Sequence, residues 1–255
     1  MNRNSMIRWA GAGLSLMMAQ GCAETPEETL GPEAGKDWTS PSIGMTFVWI
    51  EPLGIWVGET EVANAQYREK EPDHDSGQYL GRSLNGERQP AVFVNFGQAK
   101  AYAEWLSVQD GTELGVARYR LPSEEEWETF ARCGDGREYP WGNAWPPRSG
   151  AAGNYRDEAY ARAFDSDLRM EGYDDGQAAT APVDELWANP WGLRGVGGNV
   201  WEACAKDSSG ESFGARRGGS WYGTYQADSM RIAHRSDARA GYRSNVTGFR
   251  LVLSR

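Results

Sequence analysis

Apolar positions along the chain fall into short runs separated by polar stretches, and one run repeats clearly at helical period. Phe96, Ala99, Tyr102, Ala103 and Leu106 stand at i, +3, +6, +7 and +10, which predicts a helix over 96–108 that Asn95 can cap. Ser123-Glu124-Glu125-Glu126 reads as a capping box: the serine hydroxyl accepts from the fourth residue's N–H and that carboxylate returns to the cap. A second helix therefore opens there and buries Trp127, Phe130 and Ala131. Residues 62–68 (VANAQYR) predict a shorter helix. Residues 43–57 predict two short strands broken at Pro52-Leu53-Gly54, and residues 247–253 predict one closing strand. Residues 70–89 are polar and contain glycine, the signature of a surface loop, and beyond Cys133 the chain turns to loops rich in Gly, Trp, Asp and Pro. No internal repeat is visible. The pattern predicts one α+β domain over residues 43–255, with two main helices beside irregular β structure.

The first 22 residues read differently. Arg3 and Arg8 give a basic start, and Trp9 to Ala19 is an uncharged run too short to span a bilayer. Gly21-Cys22 ends it. The segment resembles a bacterial lipoprotein signal, with Ala19 where Leu is usual and Gln20 bulkier than usual. That resemblance implies export, with Cys22 lipidated in the periplasm or at the cell surface; an ordinary secretory signal or a buried N-terminal helix are the alternatives. Residues 23–42 are polar, with three prolines and no apolar period, and are expected to be a disordered tether.

Composition sharpens the fold. Twelve Trp, 32 Gly and 12 Pro suit a loop-rich domain in which flat rings fill space that long helices fill elsewhere. The net charge of −10 excludes a phosphate-backbone partner, which needs clustered Lys and Arg, so no nucleic acid is expected. With Cys22 set aside, Cys133 and Cys204 are an even pair in an oxidising compartment, either disulfide-bonded or two free thiols. The two histidines lie apart, His74 in the polar loop and His234 in the basic run 231–235.

Separated segments then point to one family. Residues 61–67 (EVANAQY), 90–95 leading into 101–106 (AYAEWL), and 120–128 (RLPSEEEWE) resemble its segments in order. Residues 139–142 (YPWG), 180–183 (TAPV), 189–193 (NPWGL), 198–202 (GNVWE), 217–221 (RGGSW) and 248–250 (GFR) follow. Together they are similar to the formylglycine-generating-enzyme, or sulfatase-modifying-factor, family. The resemblance implies a heavily decorated C-type-lectin-like fold.

It also implies structural calcium. Relatives hold one calcium with an Asn side chain, the next carbonyl and a later Asp-x-aromatic segment; Asn154, Tyr155, Asp175 and Gln177 match by position, Tyr155 and Gln177 through their carbonyls. Turn capping by Asn154 and Asp175 is the plainer alternative. A second family site is incomplete here: Gly198, Val200 and Glu202 match, but Gly195 stands where a side-chain oxygen is needed. Glu202 could instead pair with an arginine such as Arg217 or Arg250.

The family's oxidation of a substrate cysteine runs through two cysteines that bind copper, and soft thiolates suit cuprous ion. Here those positions are Gly223 and Asp228, so copper is not expected and no catalytic residue is assigned. The sulfoxide-synthase branch needs a histidine cluster that two isolated His cannot supply. Exported homologues without the cysteines, among them proteins resembling periplasmic oxidases of siderophore precursors, fit best. The last 40 residues collect Ser220, Trp221, Tyr222, Arg231, Arg235 and Arg243, the inventory of a cleft for an anionic or peptide ligand. Arginines packed over surface rings would be the plainer account. The expectation is a membrane-tethered binding or assembly module for a peptide, protein or glycan; the alternative is a periplasmic oxidoreductase of the same superfamily.

Overall fold

The broken apolar run becomes a hairpin. In the computed structural model, which describes residues 31–148, 150, 152–205 and 213–255, β2 (Thr46–Ile50) and β3 (Ile55–Gly58) pair antiparallel so that Trp49 faces Trp56. The two indoles meet edge-on at 4.6 Å. Gly54, at φ +63°, takes the left-handed turn position that a side chain would strain. This hairpin belongs to a five-stranded sheet of order β1-β2-β3-β11-β6. Its other members are β1 (Trp38–Thr39), β6 (Arg118–Arg120) and β11 (Val252–Ser254). The C-terminal strand thus fills the middle, pairing with both β3 and β6.

Residues 36–42 are not a free tether. Trp38 and Thr39 pair with β2, and Trp56 Nε1 donates to the Lys36 carbonyl at 2.7 Å. Ser40 is buried and donates to Asp110 Oδ2 at 2.6 Å. Polar composition concealed this docking because, apart from Trp38 packing on the main core, its contacts are hydrogen bonds. The signal-like residues 1–22, including Cys22, and the tether up to residue 30 lie outside the described residues.

The helices stand where capping and periodicity put them. α1 spans Asn64–Arg68, and α2 spans Phe96–Gln109. Asn95 accepts from Gln98 N at 2.9 Å while Gln98 Oε1 accepts from Asn95 N at 3.0 Å. The short α3 (Gly111–Leu114) follows, and α4 (Glu124–Arg132) opens on the Ser123–Glu126 box. The α2 stripe packs Tyr102 against Tyr67 and Phe249, with ring centroids 5.3 and 5.5 Å apart. Each such fully buried large side chain contributes about 1.5–3 kcal/mol relative to exposure.

Two features were not expected. The stretch 70–89 contains a ribbon, β4 (Gln78–Tyr79) and β5 (Arg82–Ser83). Beyond Cys133 lies a second sheet of order β10-β7-β8-β9, built from β7 (Trp201–Cys204), β8 (Phe213–Arg217), β9 (Ser236–Arg239) and β10 (Thr247–Gly248). Two further helices, α5 (Glu158–Phe164) and α6 (Ala227–Met230), accompany it. The single strand expected over 247–253 is therefore two strands in two sheets. Phe249-Arg250-Leu251 crosses between them and is fully buried. Arg250 can cross because its guanidinium finds partners on both sides, described below.

Candidate functional site

One short segment serves two purposes. Asn154 forms an isolated parallel bridge with Gly198, whose φ is +78°. A Cβ on Gly198 would stand 2.1 Å from the Asn154 carbonyl oxygen, so only glycine permits this approach. Asn154 Nδ2 donates to the Ala179 carbonyl at 2.7 Å and to Asn199 Oδ1 at 3.0 Å. Its Oδ1 is buried with no hydrogen-bond partner. Asp175 accepts from Tyr155 N and Gln177 N at 3.1 and 2.7 Å. Among the described residues no group donates to the carbonyls of Tyr155 or Gln177, and no basic side chain pairs with Asp175. Beside it, Asp157 Oδ2 accepts from Asp175 N at 2.6 Å. Burial and that second carboxylate push Asp175 up to about 8. An unpartnered amide oxygen, two free carbonyls and a carboxylate without an ion pair are the oxygen types a hard cation takes, so the residues present fit calcium by their donor chemistry.

The second set does not fit. Glu202 is fully buried and its two oxygens are already shared: Arg250 Nη2 donates to Oε1 at 2.6 Å, Arg250 Nε to both at 3.1 Å, and Trp127 Nε1 to Oε2 at 2.8 Å. Arg250 also donates to the carbonyls of Gly58, Glu59 and Arg194 at 2.8, 2.9 and 2.6 Å. The guanidinium gathers carboxylate and loop carbonyls much as a cation would. Position 195 has no room for the missing ligand, because a Cβ there would lie 2.8 Å from Glu61 Oε2. Glu61 itself is buried and, among the described residues, in no ion pair, accepting from Asn199 Nδ2 at 3.0 Å with the Arg250 charge nearby. Burial and the nearby Glu202 charge push its carboxyl up to about 8.

The cleft inferred from the last 40 residues divides. Its rings come together: Trp221 meets Tyr79 at 5.0 Å and Tyr222 at 5.6 Å, and Tyr160 joins both. Its arginines disperse. Arg231 binds Glu138 and Asp228, Arg235 binds Glu124 and Asp237, and Arg243 acts electrostatically on Tyr67 in the main core. Arg231 and Arg235 are committed to acids brought near by the fold, Glu138 and Glu124, which sequence proximity could not reveal. The guanidinium at the rings is Arg156 instead, with Cζ 4.6 Å from the Tyr160 centroid, 5.4 Å from Tyr222 and 5.6 Å from Tyr225. Ser220 is buried, its N–H donates to Thr224 Oγ1 at 3.0 Å, and its own hydroxyl has no partner.

Asp157 explains why these parts meet. Its Oδ1 caps α5 by accepting from Ala159 N and Tyr160 N at 2.9 and 3.1 Å. Residues 154–160 therefore supply oxygens to the cation set, Arg156 and Tyr160 to the rings, and the cap between them.

Gly223 and Asp228 are open positions beside this cluster. A Cβ at 223 would have no atom within 4 Å, and the Asp228 side chain is 90% exposed. Neither carries sulfur, so the pair does not fit cuprous ion. The remaining thiols do not replace it. Cys133 and Cys204 are both free rather than disulfide-bonded, Cys204 inside an apolar cluster with Trp127 and Phe130. Burial pushes both thiols above their ordinary value, which disfavours thiolate. Among the described residues no group of three or more His, Cys, Asp or Glu is arranged to hold a metal. His74 stacks on Tyr67 and His234 on Trp201, far from forming a cluster.

A family profile described as "Sulfatase-modifying factor enzyme 1-like domain" matches residues 24–255. The chain belongs to the sulfatase-modifying-factor family. It is 41% identical over 117 residues to the formylglycine-generating enzyme of Thermomonospora curvata, a stretch covering 46% of this chain and 33% of that enzyme. It is 32% identical over 162 residues to the protein named inactive C-alpha-formylglycine-generating enzyme 2 of Bos taurus, covering 62% of this chain and 43% of that protein. The chain thus spans less than half the length of these relatives. The solved structure of PvdO from Pseudomonas aeruginosa superposes with a TM-score of 0.64 at 19% identity, covering 88% of this chain and all of that one. That likeness concerns the fold. Within the sulfatase-modifying-factor scaffold, this member keeps the Gly-Gly-Ser-Trp segment and carries Gly and Asp after it. Tyr79 and Tyr160 escaped sequence reasoning because the ribbon and α5 that carry them have no period, and Arg156 because it lies in the irregular segment before α5, although the Asp157-x-Ala159-Tyr160 cap was a visible signal.

Proposed function

We propose that the protein is a binding module on the sulfatase-modifying-factor scaffold, ordered by one structural calcium and without formylglycine-generating activity. The observation that carries this reading is the double use of residues 154–160. Asn154 and Tyr155 offer oxygens to a cation while Arg156 and Tyr160 enter the ring cluster beside Gly223, where relatives place a thiolate. Calcium would be held by Asn154 Oδ1, the Tyr155 and Gln177 carbonyls and Asp175, and when bound it supplies charge compensation rather than chemistry. Binding only to the folded chain, it would stabilise that state by linkage. Asp157 then positions Asp175 and the start of α5 together. The rings bind apolar surface of a ligand, and Arg156 and the phenols orient it. The existence of a relative named inactive supports a role without oxidation. The lipoprotein-like first 22 residues support export and a lipid anchor at Cys22, which would present the module from a membrane to a peptide, protein or glycan.

A second reading, an oxidoreductase acting without the thiol pair, is favoured by one observation: the unpartnered Ser220 hydroxyl buried next to Trp221. Metal analysis of the pure protein separates the two. The module reading expects calcium at about one equivalent and no retained copper or iron. Stoichiometric copper or iron, with oxygen uptake on a thiol peptide, would replace it with the oxidase.

A further inference from the structure

Arg156, like Arg68 and Arg216, is a half-buried arginine that pairs with no carboxylate among the described residues of this acidic chain. Arg217, Arg231, Arg235 and Arg250 each hold a carboxylate. Among the described residues no carboxylate lies within ion-pair reach of Arg156, although acidic residues number 36 against 26 basic ones. Of its five N–H groups, one on Nη2 donates to Ser166 Oγ at 2.9 Å, and one on Nη1 reaches the Tyr222 carbonyl at a long 3.5 Å. Nε is buried with no partner. Rings engage the face of a guanidinium, whereas its donors lie in the plane, so stacking on Tyr160, Tyr222 and Tyr225 holds the group without using its fork.

Further donors converge on the same place. The Tyr79 hydroxyl lies 3.4 Å from that of Tyr160, and the Tyr79 ring meets that of Tyr222 edge-on at 5.4 Å. Tyr222 is 38% exposed, and the neighbouring position 223 has no side chain and open space around it. A positive charge held among rings, with Nη groups that no carboxylate engages and phenolic hydroxyls beside it, matches an acceptor with several oxygens.

We infer that Arg156 and the adjoining Tyr79 and Tyr222 hydroxyls form an oxyanion receptor, which takes a carboxylate, phosphate or sulfate group borne by the ligand. This rests on the binding-module reading and names the chemical class that module recognises. The calcium set lies one residue away in sequence, so receptor and cation share a scaffold while making separate contacts.

The test uses the chain with calcium present at fixed ionic strength, titrated with benzoate, phenyl phosphate, phenyl sulfate or uncharged phenol and followed by tyrosine and tryptophan fluorescence. At least one anion is expected to bind about tenfold or more tighter than phenol, the worth of one charge-assisted hydrogen bond. A preference for benzoate assigns a planar carboxylate, and a preference for phenyl phosphate or phenyl sulfate assigns a tetrahedral group. Arg156→Gln should remove the advantage over phenol, whereas Arg118→Gln, on β6 in the other sheet with its Nη1 on the Gly115 and Ala117 carbonyls, should keep it. If Arg156→Gln does not fold, Arg156→Lys keeps the charge but loses the fork, and should weaken the preferred anion at least about threefold with phenol unchanged. Anions binding no tighter than phenol, or binding unchanged in the folded Arg156 variant, would overturn the receptor. Metal content and oxygen uptake are read separately, so the receptor can fail while the module reading stands.

Discussion

Replacing Glu202 by Gln tests whether a guanidinium rather than a metal ion organises the centre of the fold. Glu202 and Arg250 are both fully buried, and four donor contacts from Arg250 and Trp127 converge on the carboxylate. The amide removes the negative charge and turns two N–H groups toward donors. Removing one partner of a buried pair costs about 3–5 kcal/mol, because the other charge is left without compensation. The carbonyls of Gly58, Glu59 and Arg194 still accept from Arg250, which keeps the loss within that range rather than beyond it. For a domain of this size each kcal/mol is worth roughly 2–4 °C, so the melting temperature should fall by roughly 10 °C. The assay is thermal unfolding followed by near-ultraviolet circular dichroism, which reports the packed Trp127 and its neighbours. The drop should be the same in calcium and in chelator. A loss below about 1 kcal/mol, the size of a surface pair, would refute the central role of Arg250. A loss seen only in calcium would return a metal ion to Glu202.

Three further outcomes are expected. Asp175→Ala should lower the melting temperature in calcium and leave it nearly unchanged in chelator; equal shifts in both would remove the cation set. Glu61 binds its proton more tightly folded than unfolded, its carboxyl being raised from 4.5 to about 8. Its contribution is therefore full below about pH 4.5 and is lost as pH rises through about 8. Measured against the wild type by chemical unfolding, Glu61→Gln should become relatively more stable as pH rises across that window, by up to a few kcal/mol; parallel pH profiles would contradict this assignment. Asp157→Ala should weaken calcium binding by isothermal titration and lower α5 stability together, since one side chain holds both Asp175 N and the helix cap; loss of one without the other would separate the two roles.

The readable parts of this fold were those whose cause is local. The Ser123 box and the α2 stripe are decided within a few residues, and they stand where periodicity placed them. The second sheet was hidden because β7, β8, β9 and β10 are two to five residues long and gain their pairing from distant partners. Position matching against the family named Tyr155 and Asp175 together, which no spacing rule would have done across 20 residues that include α5. The same matching misled at the arginines. Arg231 and Arg235 lie near Tyr222 in sequence, yet each found a closer acid, and the guanidinium at the rings came from a segment 66 residues earlier. Glu61 was matched only as part of a motif, and its lone buried carboxyl became visible once Gly195 was seen to leave it room.

We propose that a scaffold carrying Gly223 and Asp228 in place of two thiolates does not run its relatives' oxidation. The direct measurement is to incubate the pure calcium-loaded protein with cuprous ion, oxygen and a cysteine-containing peptide, and to follow the peptide by mass spectrometry. An unchanged thiol and no copper retained on the protein are expected. Conversion of the cysteine to an aldehyde, with copper bound at residues 223 and 228, would contradict it.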